Sequence, residues 1–253
     1  PRTSTRVTMI AFFGMYDMPH AAPANDRLWA AIRAELGFGP DHIDRSTDPW
    51  TAWQSPDLVL AQTCGLPYRA RLFDQVHLVG TPDYGLRDCP QGYYYSYIVR
   101  RKGETRNMRE LARRGTIAFN EPLSQSGWAA PVAYLANLGL RPVETMQTGA
   151  HLASARAVLA GHADYAAIDA ITYLMWDHAD PQVFAGLEAF TRTEPTPGLP
   201  FITSRTVDPK PIAAAVTRAI SGLSAADREI LMLKGFVKIP EDTYRAIPIP
   251  PLP

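Results

Sequence analysis

The chain is poor in cysteine: only Cys64 and Cys89 occur among 253 residues. Neither a Cys-x-x-Cys nor a His-x-x-x-His spacing is present, so the sequence carries no zinc signature and implies no cofactor. It also lacks a charge excess, with 25 basic and 25 acidic side chains and no basic block. That balance argues against nucleic acid and anionic membranes as partners. No apolar run approaches the roughly 20 residues that a membrane span needs. The opening Pro1-Arg2-Thr3-Ser4 is polar and lacks a signal-peptide core; either a secretory signal preceded this numbering or there was none. No internal repeat is visible.

What is present is enough hydrophobic material, 46% of the residues, for one large or two small domains. The 23 prolines predict many firm turns. Cys64 and Cys89 each lie beside Gly or Pro in a turn-like context. They are compatible with a disulfide worth about 3–4 kcal/mol, which would favour an oxidising compartment, or with two unrelated buried thiols.

Periodicity predicts a β-rich run from Arg6 to Phe13, a helix from Asn25 through Leu36, and a helical turn from Trp50 to Ser55. Strands are predicted at Asp57–Thr63, Val76–Gly80 and Tyr93–Arg100. From Met108 helices and strands alternate regularly: helices at Met108–Arg113, Gly127–Leu138, His151–Ala160 and Ala170–Ala179; strands at Thr116–Phe119, Val143–Thr148 and Tyr165–Ile168. Such alternation predicts a mostly parallel sheet covered on both faces. Phe184–Thr193 reads as a helix end and a strand, Pro211–Ile220 and Ala225–Met232 as closing helices, and the proline-rich tail from Ile239 as a surface segment. The expected fold is α/β and two-lobed, each lobe a mostly parallel sheet flanked by helices. Residues 1–99 with 200–253 would form one lobe and 100–199 the other, with crossings near Ile98–Gly103 and Arg192–Leu199.

Ligands of open α/β sheets bind at the carboxyl ends of strands, where loops feed helix starts. The residues at those ends are therefore the candidates. Tyr16 and Asp17 follow the first strand, and Gln62 and Thr63 close the strand before Cys64. Ser124, Gln125, Ser126 and Gly127 follow the strand at Phe119, where free helix-start amides and hydroxyls suit a small anion. His151 opens the next helix and Asp169 the one after it, while Tyr95 lies in a tyrosine-rich strand. Each has an ordinary alternative: Ser124, Ser126 and Asp169 as helix caps, His151 as an exposed helix start, the tyrosines as cross-strand packing, Asp17 and Glu194 as surface charges.

Several of these segments together resemble the phosphonate/phosphite-type periplasmic substrate-binding proteins of ABC importers. They are Met15-Tyr16-Asp17, Gln62-Thr63-Cys64-Gly65, Gly80-Thr81-Pro82 followed by Cys89, Ser124-Gln125-Ser126-Gly127, Gly149-Ala150-His151 and Ala166-Ala167-Ile168-Asp169. The likeness runs over roughly Val7 to Leu233. It implies a two-lobed, hinge-closing periplasmic receptor of the type II periplasmic-binding-protein fold that hands its solute to an inner-membrane permease. It further implies that Ser124, Ser126 and the Gly127 amide hold an oxyanion together with His151 and an aromatic such as Tyr16 or Tyr95. Asp169 would meet an ammonium group where one is present, and Cys64 would pair with Cys89. Gln125 departs from the family's pattern, because a small hydroxyl residue often stands there. The aromatic wall with Asp17, Asp169 or Glu194 would equally suit an organic cation or a zwitterion.

The expected function is capture of a small anionic or zwitterionic solute by a monomer, with no catalysis. An enzyme is the competing reading, since Ser126, His151 and Asp169 are hydrolase-triad types. Leu123-Ser124-Gln125-Ser126-Gly127 nevertheless lacks the first glycine of a Gly-x-Ser-x-Gly elbow, and the order Ser, His, Asp differs from that of α/β-hydrolases. A pyrimidine-precursor synthase on the bilobed fold would need iron, for which no ligand cluster appears. A sensor without transport would use the same binding physics.

Overall fold

The computed structural model describes residues 9–253, so the Arg6–Thr8 part of the first predicted strand lies outside the described residues. The described residues divide into two compact units, one formed by 9–85 and 198–245, the other by 86–197 and 246–253. The divisions fall after Gly85, Pro197 and Arg245, so the chain passes between units three times. The strands, in chain order, are β1 (Ile10–Phe12), β2 (Leu58–Gln62), β3 (Val76–Asp83), β4 (Tyr93–Tyr94), β5 (Ser96–Arg101), β6 (Thr116–Phe119), β7 (Glu144–Gln147), β8 (Tyr165–Asp169), β9 (Leu187–Arg192), β10 (Thr196–Pro197), β11 (Phe201–Ser204) and β12 (Gly235–Val237).

The first unit holds a sheet in the order β1-β2-β11-β3-β12. Every residue of β2 is buried, as expected of a strand covered on both faces. The helix Ala22–Leu36 starts with a proline in its first turn and stops at Gly37, whose φ of 73° is the left-handed conformation that glycine adopts without a Cβ penalty. It turns Leu28, Trp29 and Ile32 inward and packs against the helix Pro209–Ser221, which buries Ile212, Val216 and Ile220. Each such fully buried aliphatic side chain contributes about 1.5–3 kcal/mol.

The second unit holds a sheet in the order β7-β6-β8-β5-β9 and a small β10-β4 ladder. Strand alternation sends successive residues to opposite faces. Ile98, Ile117, Phe119 and Tyr165 join Leu111, Trp128 and Leu135 in one layer. Val99, Ala118, Ala166 and Ile168 join Ala155, Val158, Phe184 and Leu187 in the other. The helix Met108–Arg114 begins with a capping box in which Asn107 accepts from the Glu110 amide and Glu110 accepts from the Asn107 amide.

Several expectations need correction. Both sheets are mixed rather than mostly parallel. In the first unit the returning strand β11 inserts antiparallel between β2 and β3, and in the second β5 runs antiparallel to β8 and β9. The predicted strand Tyr93–Arg100 is broken at Tyr95, with β4 pairing to β10 and β5 to the main sheet. The tail is not merely a surface segment, because the helix Glu241–Arg245 buries Tyr244 completely. The expected disulfide is not supported by the structure, in which Cys64 is buried and Cys89 half-buried. They belong to different compact units, so the packing of neither unit by itself brings the two sulfurs together.

Candidate functional site

In the second unit β6 runs parallel to both β7 and β8, which puts their three carboxyl ends along one edge. Two of the loops that leave this edge are stitched together. The Phe119 carbonyl accepts from the Thr148 amide at 2.9 Å and from the Thr148 hydroxyl at 3.0 Å, and the Asn120 carbonyl accepts from the Gly149 amide at 2.9 Å. Thr148 Oγ1 also meets Ser154 Oγ at 2.7 Å.

The helix after β6 begins at Ser124, whose hydroxyl oxygen accepts from the Gly127 amide at 2.9 Å, so Ser124 is an N-cap. The first turn, Gln125–Ala129, is wider than an α-helical one. The Ser124 carbonyl accepts from both Trp128 (3.2 Å) and Ala129 (3.0 Å), and the Gln125 carbonyl from the Ala130 amide. Widened turns of this kind recur at functional sites. The Gln125 and Ser126 amides stand in the first turn, where the helix itself offers no acceptor. Gly127 is demanded by a neighbour: a Cβ there would lie 1.9 Å from Asn120 Oδ1.

Ser126 Oγ lies 2.9 Å from His151 Nε2. His151 is the first residue of the helix His151–Leu159, which Ala150 precedes without a side-chain cap. The residue is half-buried, but its ring is withdrawn from water, and this desolvation lowers its pKa to about 4 against a smaller opposing effect of the Ala167 backbone. The imidazole is therefore neutral at pH 7. The Ser126 carbonyl accepts from Ser96 Oγ at 2.9 Å, and Ser96 is in turn held by Thr193 through its amide and carbonyl, each at 2.9 Å.

Asp169 ends β8 opposite Ser96. Its Oδ1 accepts from the amides of Ile171 (2.8 Å) and Thr172 (3.0 Å), which makes it the N-cap of the helix Ala170–Ala179. Tyr95 is buried, its carbonyl accepts from the Ala170 amide, and the Arg192 guanidinium sits 4.7 Å above its ring. The cation-binding face of that aromatic is thus already used within the protein. Glu194 is exposed.

In the first unit the Tyr16 and Tyr84 rings meet edge-on at 5.1 Å, and Gln62 Nε2 donates to Tyr84 Oη (3.1 Å) and the Leu199 carbonyl (3.2 Å). Asp17 is enclosed by scaffold contacts: its carboxylate accepts from Asn25 Nδ2 at 3.0 Å and pairs with Arg45 at 2.5 Å, while Arg45 also reaches Asp26. Sequence reasoning missed Ser96, Asn120, Arg192 and Tyr84. The only local signal among them was Asn120, the first polar residue after β6.

Two compact α/β units with mixed sheets, whose parallel strand ends feed capped helix starts, fit the periplasmic-binding-protein-like fold. A family match makes it specific. The family described as ABC transporter, phosphonate, periplasmic substrate-binding protein matches residues 60–244, and the chain belongs to it. It is a transporter's binding component and not an enzyme. Among solved structures it is similar to PhnD1 from Prochlorococcus marinus in complex with methylphosphonate, with a TM-score of 0.75 and 16% identity over 95% of this chain and 96% of that one. It is also similar to XAC2383 from Xanthomonas citri bound to ATP, with a TM-score of 0.68 and 16% identity over 95% and 94%. A third is a binding protein component of an ABC phosphonate transporter from Pseudomonas aeruginosa, with a TM-score of 0.68 and 15% identity over 94% and 83%. At these identities the likeness shows the fold alone. No curated protein sequence matches the chain.

Proposed function

We propose that this protein is a monomeric periplasmic receptor for a small phosphorus oxyanion (phosphonate, phosphite, phosphate or a related zwitterion), which it delivers to an inner-membrane permease. The Ser124–Gly127 turn is the oxyanion anchor. The observation that carries this reading is the Ser126–His151 pair, 2.9 Å apart at the meeting of two helix starts. A neutral imidazole beside the hydroxyl fixes its orientation, and the first-turn amides with the helix dipole supply partial positive charge. The methylphosphonate held by PhnD1 and the ATP held by XAC2383 both carry phosphorus oxyanions, which supports this ligand class. Arg192 over Tyr95 favours an anion over an organic cation on that side of the unit. Within the second unit Tyr95 supplies an aromatic neighbour in this reading and Gln125 lies within the anchor turn, while Asp169, like Asp17 in the first unit, acts first as scaffold.

A thermal-shift screen with phosphate, phosphite, methylphosphonate, aminoethylphosphonate, methylsulfonate and glycine betaine tests this. A bound solute at 100 times its Kd stabilises by about 2.7 kcal/mol. A shift with phosphorus oxyanions and none with betaine is expected. A shift with betaine alone would overturn the proposal.

A further inference from the structure

The anchor turn has an attachment that ligand binding does not require. Trp128 lies inside the Gln125–Ala129 turn, is 4% exposed, and packs its ring 5.0 Å from that of Phe119 at the end of β6. Its indole Nε1 donates to the Pro251 carbonyl at 2.9 Å. Pro251 belongs to the segment Ala246–Pro253, which packs with the second unit, whereas the residues just before it pack with the first. There Tyr244 is fully buried, with its hydroxyl 2.6 Å from Thr81 Oγ1 and donating to the Gly198 carbonyl at 2.9 Å. After Arg245 the chain reads Ala246-Ile247-Pro248-Ile249-Pro250-Pro251, a proline-rich composition that favours stiff, extended backbone.

Burial does not explain why the segment is held, since Ile249 is 55% exposed and Leu252 64%. The indole explains it better. A buried N–H donor needs an acceptor, and the Pro251 carbonyl supplies one that no regular ladder uses. The turn it serves depends on packing for its shape, because one carbonyl is shared between two amides there.

We propose that Trp128 is a positioning residue through which the proline-rich segment holds the anchor turn in its binding-competent shape. The inference rests on the reading of Ser124–Gly127 as the oxyanion anchor. It assigns the segment a role within the second unit: weakening its hold on the indole loosens Ser126 and the first-turn amides without touching them.

Two full-length variants test this. Trp128→Phe keeps an aromatic ring and removes the donor. The triple change Pro248→Gly, Pro250→Gly, Pro251→Gly leaves Trp128 intact and softens the segment. In each, amide hydrogen exchange at Gln125–Ala129 should accelerate while exchange in the helix Ala22–Leu36 stays the same. Methylphosphonate Kd should rise by about three- to tenfold, the effect of one hydrogen bond. Unchanged protection of Gln125–Ala129 in both variants would overturn the inference, as would an affinity loss confined to Trp128→Phe. Should the wild-type protein bind no phosphorus oxyanion, the anchor reading fails, and the exchange comparison still decides whether the segment shapes the turn.

Discussion

Ser126 Oγ and His151 Nε2 face each other at 2.9 Å although 25 residues separate them in the chain. The contact exists because β6 and β7 are parallel neighbours, so the loops leaving them emerge side by side and each opens a helix. A cap and a helix-start histidine, each unremarkable alone, become one hydrogen-bonded pair.

The desolvated imidazole makes a pH signature. The folded-state pKa of His151, about 4, lies below its ordinary value of 6.5, so between these values the unfolded chain takes up a proton that the native state refuses. The associated stability is complete above pH 6.5 and declines as the pH falls toward 4. Allowing for the half-buried position, it amounts to about 2 kcal/mol. Urea unfolding of wild type and His151→Gln at pH 7.5, 6 and 5 should show wild type losing progressively more than the variant, most of that amount by pH 5. Parallel losses would mean that the ring titrates normally.

Gly127→Ala should destabilise by about 1–3 kcal/mol, because the new methyl group would collide with Asn120 Oδ1. The obstacle is a side chain, so Asn120→Ala should relieve most of the cost. A double-mutant cycle by denaturant unfolding should return a coupling of at least about 1 kcal/mol. Additive losses would place the demand for glycine elsewhere.

Asp17 is expected to serve the scaffold. Asp17→Asn should lower stability by about 1 kcal/mol, a figure reduced for the partial exposure of Arg45, and leave the preference between methylphosphonate and aminoethylphosphonate unchanged. Calorimetric titration of both solutes checks this. A variant of normal stability whose preference shifts would instead place Asp17 against the ligand.

The helix start at Ser124–Gly127 was legible because its signal is local: an apolar strand, a polar turn and an apolar helix within about a dozen residues. The same holds for the helices Ala22–Leu36 and Met108–Arg114, whose apolar spacing lies within one segment, although the capping box at Asn107 and Glu110 went unread. What lay out of reach was nonlocal. Hydrophobic alternation carries no strand direction, so the insertion of β11 between β2 and β3 could not be read from it. The tyrosine-rich run before Ile98 looks continuous, and only pairing of β4 with β10 reveals the break at Tyr95. Ser96 reaches Ser126 across 30 residues, and β12 is half-buried throughout and only three residues long, too faint for a pattern. Asp169 was legible as either cap or ligand, and the amides it accepts favour the cap.

The central claim, that the Ser124–Gly127 turn anchors an oxyanion through Ser126, is tested most directly by titrating methylphosphonate and phosphate calorimetrically into wild type and Ser126→Ala. Losing a hydroxyl that bonds a charged oxygen should weaken binding by about 1.5–3 kcal/mol, roughly 10- to 150-fold, with the melting temperature nearly unchanged. Undiminished affinity in a folded Ser126→Ala variant would contradict the account and leave the turn as an ordinary helix cap.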